Sequence, residues 1–186
     1  MLNRAQVGEG DSVLITGASG GVGSALIQLA NRRGAITIAL CSEQKHEALK
    51  QLSPSAILSR EPDDLKSQIK AATGKAEVDV VADVVGGDYW STLIDTLVRG
   101  GRYTCAGAIA GPIVEFDLRT FYLRDLVFTG ATIVPPGVFA NLVGYIERGE
   151  IKPVVAASLP LEDLHDAQRM FIAKQHIGNI VITTGS

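Results

Sequence analysis

The stretch Val13–Arg33 reads Val-Leu-Ile-Thr-Gly-Ala-Ser-Gly-Gly-Val-Gly and continues into an amphipathic run. Its apolar start is typical of a strand that is buried on both faces. Val22, Ala25, Leu26, Leu29 and Ala30 then recur at the spacing of one helix face. Between these elements lie Gly17, Gly20, Gly21 and Gly23. The sequence therefore predicts a strand, a glycine turn and a helix whose first amides suit a phosphate.

Two glycine spacings coexist in this turn, and they indicate different enzymes. Ala18-x-Gly20-x-x-Gly23 is the dinucleotide fingerprint with alanine at its first position. Thr16-Gly17-x-x-x-Gly21-x-Gly23 is the spacing of short-chain dehydrogenases. A purely structural turn that packs a helix against a strand would also use glycines. The flanking strand and helix favour dinucleotide binding.

Length and composition restrict the class of protein. The 186 residues fit one domain with an appendage, and 46% hydrophobic content is enough for a sizeable core. The net charge of −3 gives no electrostatic reason to expect nucleic acid or an anionic membrane as a partner. No apolar signal core follows Met1, so we expect a cytoplasmic protein. Three histidines and two cysteines are too scattered for a metal cluster, and we predict no zinc in this chain.

Strand and helix patterns alternate six times along the chain. The predicted strands begin at Val13 and continue with Ile36–Cys41, Ala56–Leu58, Val78–Val85, Arg102–Ala106 and Leu126–Val134. Predicted helices follow, among them Tyr89–Arg99 and one that begins at Pro135 and ends at Glu147. This alternation predicts an α/β fold, a doubly wound parallel sheet of six strands (Rossmann type) in the order 3-2-1-4-5-6.

Several short segments of the sequence resemble those of the medium-chain dehydrogenase/reductase superfamily. Within it, they resemble the quinone oxidoreductase and zinc-type alcohol dehydrogenase-like members. They are Val7–Leu14 before the turn, Gly17–Gly23 in it, Asp83–Gly87, Arg99–Arg102, and the closing His176–Val181. The short-chain alternative needs a Tyr-x-x-x-Lys pair. Tyr89, Tyr103, Tyr122 and Tyr145 are followed four residues later by Leu93, Gly107, Leu126 and Gly149. The absence of lysine at all four positions disfavours that alternative.

The resemblance implies a division into two parts. Residues 1–150 would form the dinucleotide-binding domain, and residues 151–186 a C-terminal tail that belongs to a missing N-terminal, GroES-like catalytic domain. The implied function is hydride transfer to or from a carbonyl, quinone or activated alkene. The catalytic residues stay unknown, and we expect the chain alone to be inactive. The alternative is a non-enzymatic dinucleotide sensor or structural domain.

Cofactor contacts are predicted at the ends of the strands. Backbone amides of Ser19, Gly20, Gly21 and Val22 would hold the pyrophosphate. Val84, Val85, Gly107 and Ala108 would meet the ribose and nicotinamide at the carboxyl edge of the sheet. Ordinary strand-end packing is the alternative role of these four residues.

The end of the second strand sets the choice between NAD(H) and NADP(H). The position of the usual ribose-binding acid falls on Cys41 or Ser42, and neither repels a 2′-phosphate. Lys45 and Arg60 lie nearby in sequence or by family position, so NADP(H) is favoured over NAD(H). Glu43 is the counter-evidence, because a shift of two residues would make it the ribose acid. Lys45 and Arg60 could also be solvated surface charges.

Three further predictions concern cysteines, histidines and assembly. Cys41 and Cys105 lie three strands apart in the inferred order, so we expect two buried free thiols. His46, His165 and His176 are predicted to be solvated. The apolar sixth strand, Leu126–Val134, is predicted to pair two copies into a homodimer, with the tail docked on its own domain or exchanged.

Overall fold

A computed structural model describes residues 1–60 and 62–185, and its main element is a six-stranded parallel sheet. The strand order β3-β2-β1-β4-β5-β6 confirms the predicted doubly wound topology. The strands are β1 Ser12–Ile15, β2 Ile36–Cys41, β3 Ala56–Ser59, β4 Val78–Asp83, β5 Leu97–Cys105 and β6 Val127–Gly130. The helices are α1 Gly21–Arg32, α2 His46–Leu49, α3 Leu65–Thr73, α4 Trp90–Asp95, α5 Leu118–Leu123 and α6 Val138–Glu147.

The central strands are apolar because both faces of the sheet are covered. Val13, Leu14 and Ile15 have no exposed surface. Val13 and Ile15 pack into one core with α1, whereas Leu14 packs into the other with α3 and α4. Because the six strands are parallel, their carboxyl ends share one edge of the sheet, where ligands of such sheets bind.

Strand β4 ends two residues earlier than predicted. The carboxylate of Asp83 accepts the amide N–H groups of Val85, at 2.8 Å, and Gly86. These hydrogen bonds turn the chain, so Val84 and Val85 lie in the turn after the strand.

The predicted end of the fourth helix and the predicted start of the fifth strand are also wrong. The fourth helix ends at Asp95, since the hydroxyl of Thr96 caps the carbonyl of Leu93 at 2.7 Å. Strand β5 begins at Leu97, and the Arg99–Arg102 segment lies within it at a register irregularity opposite β4. Gly100, with φ +74°, provides the left-handed backbone that this irregularity needs.

Strand β6 covers only four of the nine predicted residues. The amide of Ala131 still donates to the carbonyl of Cys105, but β5 ends there and offers no further partner. Helix α6 begins at Val138 rather than at Pro135, after Gly137 in the left-handed region.

The buried face of α1 differs from the predicted stripe. Val22 is 53% exposed, while Ile27 and Ala30 are fully buried. The predicted stripe is rotated because Gly23 and Ser24, not Val22, face the sheet in the first turn.

The last residues form a small unit of their own. Strands β7 (Val155–Pro160) and β8 (Asn179–Thr183) pair in parallel as a two-stranded sheet, linked by helix α7 (Leu164–Ala173). None of the helices in residues 1–60 and 62–185 has the length and apolar character needed to cross a membrane.

Candidate functional site

The glycine turn between β1 and α1 presents an open helix N-terminus. Gly20 is the N-cap, with extended backbone and no capping side chain, and the first turn carries no acidic residue. The first amides of a helix lack partners within the helix, and the helix dipole makes this end positive. The turn is thus a ready anion site at the carboxyl edge of the sheet.

The four glycines of the turn have different roles. A Cβ on Gly23 would collide with the backbone at Gly17 and Ala18, so Gly23 permits the close approach of helix and strand. A Cβ on Gly20 would meet only the Gly17 carbonyl oxygen, at 3.4 Å. A side chain at Gly20 would therefore meet no close packing among the described residues, although the backbone of Gly20 pairs with Gly178 of the tail.

The tail reaches the same glycine turn, a position of contact that was not predicted. The amide of Gly178 donates to the carbonyl of Ser19 at 2.9 Å. The side chain of Asn179 fills the space where Gly21 would carry a Cβ. The missing Cβ of Gly21 thus makes room for Asn179. The feature of the sequence that could have indicated this contact was the segment His176–Val181, which resembles the last strand of the family.

Basic side chains surround the turn. The Nζ atom of Lys45 lies 3.3 Å from Oγ of Ser19. Partial burial, followed by the charges of Lys174 and Arg60, lowers the pKa of Lys45 below its ordinary value. The structure therefore brings Lys45, predicted at the 2′-phosphate, next to Ser19 of the glycine turn, and adds the charge of Lys174 from the tail.

The end of β2 carries the other residues that bear on the choice of cofactor. Cys41 is buried, which raises the pKa of its thiol, and Ser42 caps the short 3-10 turn that begins at Glu43. Oε1 of Glu43 accepts a hydrogen bond from the hydroxyl of Ser59 at 3.1 Å. Arg60 follows β3 and lines a small cavity together with Gly17 and Val85, among others.

The residues predicted on the nicotinamide side converge. A Cβ on Gly17 would contact the side chains of Val84 and Val85, at 2.9 and 3.2 Å. A Cβ on Gly107 would lie 3.0 Å from the carbonyl oxygen of Val84. Ala108 packs against Gly86 in the next turn. These four predicted residues form one surface with the glycine turn.

Asp83 lies beneath that surface and was not singled out from the sequence. Its carboxylate accepts hydrogen bonds from the hydroxyls of Thr16, at 2.5 Å, and Tyr103, at 2.7 Å. Burial, reinforced by the Asp83 charge, raises the pKa of Tyr103 far above its ordinary range. The network joins the ends of β1, β4 and β5. The feature of the sequence that could have indicated this role is the position of the aspartate directly before Val-Val-Gly-Gly.

The cysteines and histidines were the other groups considered from the sequence. Both cysteines are free as predicted, but Cys105 is only half-buried. The prediction of solvated histidines holds only in part for two of them. His46 and His176 are half-buried, and Nε2 of His46 and Nδ1 of His176 are buried without a hydrogen-bond partner among the described residues. Within those residues, no group of three or more His, Cys, Asp or Glu could hold a metal ion.

This sheet and its glycine turn define a Rossmann-type domain. A family profile described as zinc-binding dehydrogenase matches residues 21–148. The chain belongs to that family, which confirms the resemblance to medium-chain dehydrogenases and reductases.

Two proteins illustrate the similarity. The chain is 30% identical over 186 residues to acryloyl-coenzyme A reductase of Metallosphaera sedula, covering 98% of this chain and 54% of that protein. It is 46% identical to the crystal structure of a candidate alcohol dehydrogenase from Sinorhizobium meliloti 1021, with a TM-score of 0.94. That match covers 98% of this chain and 51% of the other. The chain thus spans about half the length of each of these two proteins.

Two further solved structures differ in their cofactors. An NAD-dependent alcohol dehydrogenase is 30% identical, with a TM-score of 0.90, over 99% of this chain and 54% of its own. The 2-octenoyl-CoA carboxylase reductase CinF, solved with NADP and 2-octenoyl-CoA, is 25% identical, with a TM-score of 0.86. That match covers 96% of this chain and 44% of CinF.

Proposed function

We propose that this chain is the nicotinamide-dinucleotide-binding part of a cytoplasmic oxidoreductase that transfers hydride to or from a carbonyl, quinone or activated alkene. The observation that carries the proposal is the open N-terminus of α1 at Gly20, with Lys45 held 3.3 Å from Ser19 beside it. A pyrophosphate needs amide donors and positive charge. The first turn of α1 and Lys45 support both, although the amide of Gly20 already donates to the Gly17 carbonyl at 2.9 Å.

The predicted contact residues take the following roles in the proposal. Amides of Ser19, Gly21 and Val22 hold the pyrophosphate, with the tail residue Asn179 at its border. The amide of Gly20, also predicted to bind it, donates to the Gly17 carbonyl at 2.9 Å in this structure and would have to exchange that partner for the phosphate. The backbone of Val84, Val85, Gly107 and Ala108 orients the nicotinamide end. When bound, the nicotinamide supplies or accepts the hydride, and the protein contributes orientation and electrostatics.

NADP(H) is the favoured cofactor in this proposal. Lys45, Arg60 and Lys174 interact electrostatically near the ends of β2 and β3, where the adenosine ribose of such sheets lies. The complex of CinF with NADP supports the proposal, and the NAD-dependent alcohol dehydrogenase supports the alternative. Glu43, engaged by Ser59, would be the ribose ligand of an NAD(H) site.

An activated alkene is a substrate class with support from a relative. The reductase of Metallosphaera sedula acts on acryloyl-coenzyme A, as its name states. We propose that a GroES-like N-terminal domain supplies the catalytic part of the pocket, and that residues 151–186 bridge to it. The half-length matches support this division.

Two measurements test the proposal. Isothermal titration of the chain with NADPH and NADH should show binding, with NADPH the tighter ligand. Incubation with NADPH and an enoyl-CoA, a quinone or an aldehyde should show no consumption above the buffer background, because the catalytic part of the pocket would be supplied by another domain. Failure to bind either dinucleotide would refute the proposal. Binding without turnover even when a GroES-like domain is joined to the chain would favour the sensor alternative.

A further inference from the structure

Asp83 is a carboxylate with no exposed surface at the carboxyl end of β4. Four donors surround it. Its Oδ1 atom accepts from the hydroxyl of Thr16 at 2.5 Å and from the amide of Val85 at 2.8 Å. Its Oδ2 atom accepts from the hydroxyl of Tyr103 at 2.7 Å, and the amide of Gly86 lies 3.2 Å from both oxygens.

These contacts indicate the ionisation state of the Asp83 carboxyl group. The Thr16 hydroxyl accepts the amide of Val84 at 3.0 Å, so its proton is directed to Asp83. Four donors directed at the two carboxylate oxygens favour the ionised form of Asp83, because hydrogen bonds donated to a carboxylate stabilise its charge. Asp83 is therefore an anion, and within the described part of the chain it is balanced by hydrogen-bond dipoles rather than by a cationic side chain.

The anion lies directly under the proposed nicotinamide surface. Thr16 precedes Gly17 of the glycine turn, and Val85 and Gly86 line the cavity beside it. The same two amides that hold the carboxylate belong to the turn that would orient the ring. An oxidised nicotinamide ring carries a positive charge, whereas the reduced ring is neutral.

We propose that Asp83 is a specificity-determining residue that favours the oxidised dinucleotide over the reduced one through its buried negative charge. The inference rests on the proposed function, since it needs a nicotinamide at this surface. At an effective dielectric constant of about 20, a buried negative charge beneath the ring would change the ratio of the two affinities by roughly tenfold.

The test compares a charge variant with a hydrogen-bond variant. Asp83→Asn removes the charge and keeps the shape, and the Tyr103 hydroxyl can rotate to accept from the new amide. Tyr103→Phe removes one hydrogen bond and keeps the charge. The dissociation constants of NADP⁺ and NADPH are measured for the unaltered chain and both variants by isothermal titration.

Asp83→Asn should weaken NADP⁺ binding about tenfold relative to NADPH. Tyr103→Phe should not weaken NADP⁺ relative to NADPH. An unchanged ratio in Asp83→Asn would overturn the inference and leave Asp83 a purely structural residue. If Asp83→Asn loses its native circular dichroism, Asp83→Ser replaces it in the same comparison. The serine keeps a hydrogen-bond acceptor without the charge. An unaltered chain that binds neither cofactor would instead refute the proposed function.

Discussion

Gln28 of α1 holds the main chain of Lys152 with both ends of its side-chain amide. Nε2 donates to the Lys152 carbonyl oxygen at 3.0 Å, and Oε1 accepts the Lys152 N–H at 2.9 Å. This pair fastens the start of the tail to its own domain. A second attachment follows at Gly178, whose amide donates to Ser19.

The first prediction concerns this attachment. Gln28→Ala removes both hydrogen bonds, and together they contribute about 1 kcal/mol to local stability at a partly exposed site. We expect roughly fivefold faster amide exchange in β7 and β8, measured by hydrogen–deuterium exchange. Gln28→Glu keeps only the bond from the Lys152 amide and should lie between the two. Unchanged exchange in Gln28→Ala would mean that β8 and the glycine turn hold the tail alone.

The second prediction separates two glycines of the turn. Gly20→Leu should abolish dinucleotide binding and leave the fold intact, because a Cβ there meets only the Gly17 carbonyl oxygen. Gly23→Ala should lower the free energy of unfolding by about 1–3 kcal/mol, since its Cβ would collide with backbone. Urea denaturation and calorimetric titration measure the two effects. Wild-type affinity for NADPH in Gly20→Leu would refute the assignment of the turn.

The third prediction concerns the 2′-phosphate. Lys45→Ala and Arg60→Ala should each weaken NADP⁺ binding by roughly ten- to a hundredfold, because a charge-assisted hydrogen bond contributes about 1.5–3 kcal/mol. NAD⁺ binding should change little in Arg60→Ala, whereas Lys45→Ala should also weaken NAD⁺ binding, by less than it weakens NADP⁺ binding, because Lys45 lies beside the proposed pyrophosphate site. Glu43→Gln is the matched control, and it should leave NADP⁺ binding unweakened. Equal or tighter binding of NADH than of NADPH to the unaltered chain would reverse the preference and make Glu43 the ribose ligand.

The fourth prediction is a pH dependence. A phosphate binds the protonated form of Lys45, and partial burial holds the pKa of that amine below its ordinary value. Affinity for NADP⁺ should therefore be complete at neutral pH and fall as the pH rises, at lower pH than that at which an ordinary lysine loses its proton. Lys45→Arg stays protonated over this range and should show a flat profile. Parallel pH profiles for both proteins would exclude Lys45 from the phosphate site.

The fifth prediction tests the homodimer. Strand β6 is the edge of the sheet, and Val127 is 49% exposed on it. We expect a dimer through this edge, which Val127→Lys should dissociate because a charge on an edge strand opposes pairing. Val155→Lys, at a residue that is 52% exposed in the tail, is the matched control. Sedimentation velocity at micromolar concentration measures both. If only Val155→Lys dissociates the dimer, the interface lies in the tail. If the unaltered chain is a monomer, the predicted dimer is refuted.

The sequence by itself determined the strand order, the position of the glycine turn and the convergence of Val84, Val85 and Gly107. These features follow from local patterns, because buried parallel strands are continuously apolar and glycines occur where a Cβ would collide. Gly23 shows this directly, since its role is fixed by neighbours only five and six residues earlier in the chain.

Only the tertiary structure decided where strands end and which distant residues complete the site. Asp83 ends β4 by accepting amides of the following turn, a hydrogen bond that no periodicity encodes. Asn179 lies over Gly21 although 158 positions separate them in the sequence. Such contacts depend on how the small β7–β8 sheet docks on α1, and that docking is set by long-range hydrogen bonds such as those of Gln28 with Lys152. A local pattern carries no information about such pairs, because each partner alone is an ordinary polar residue.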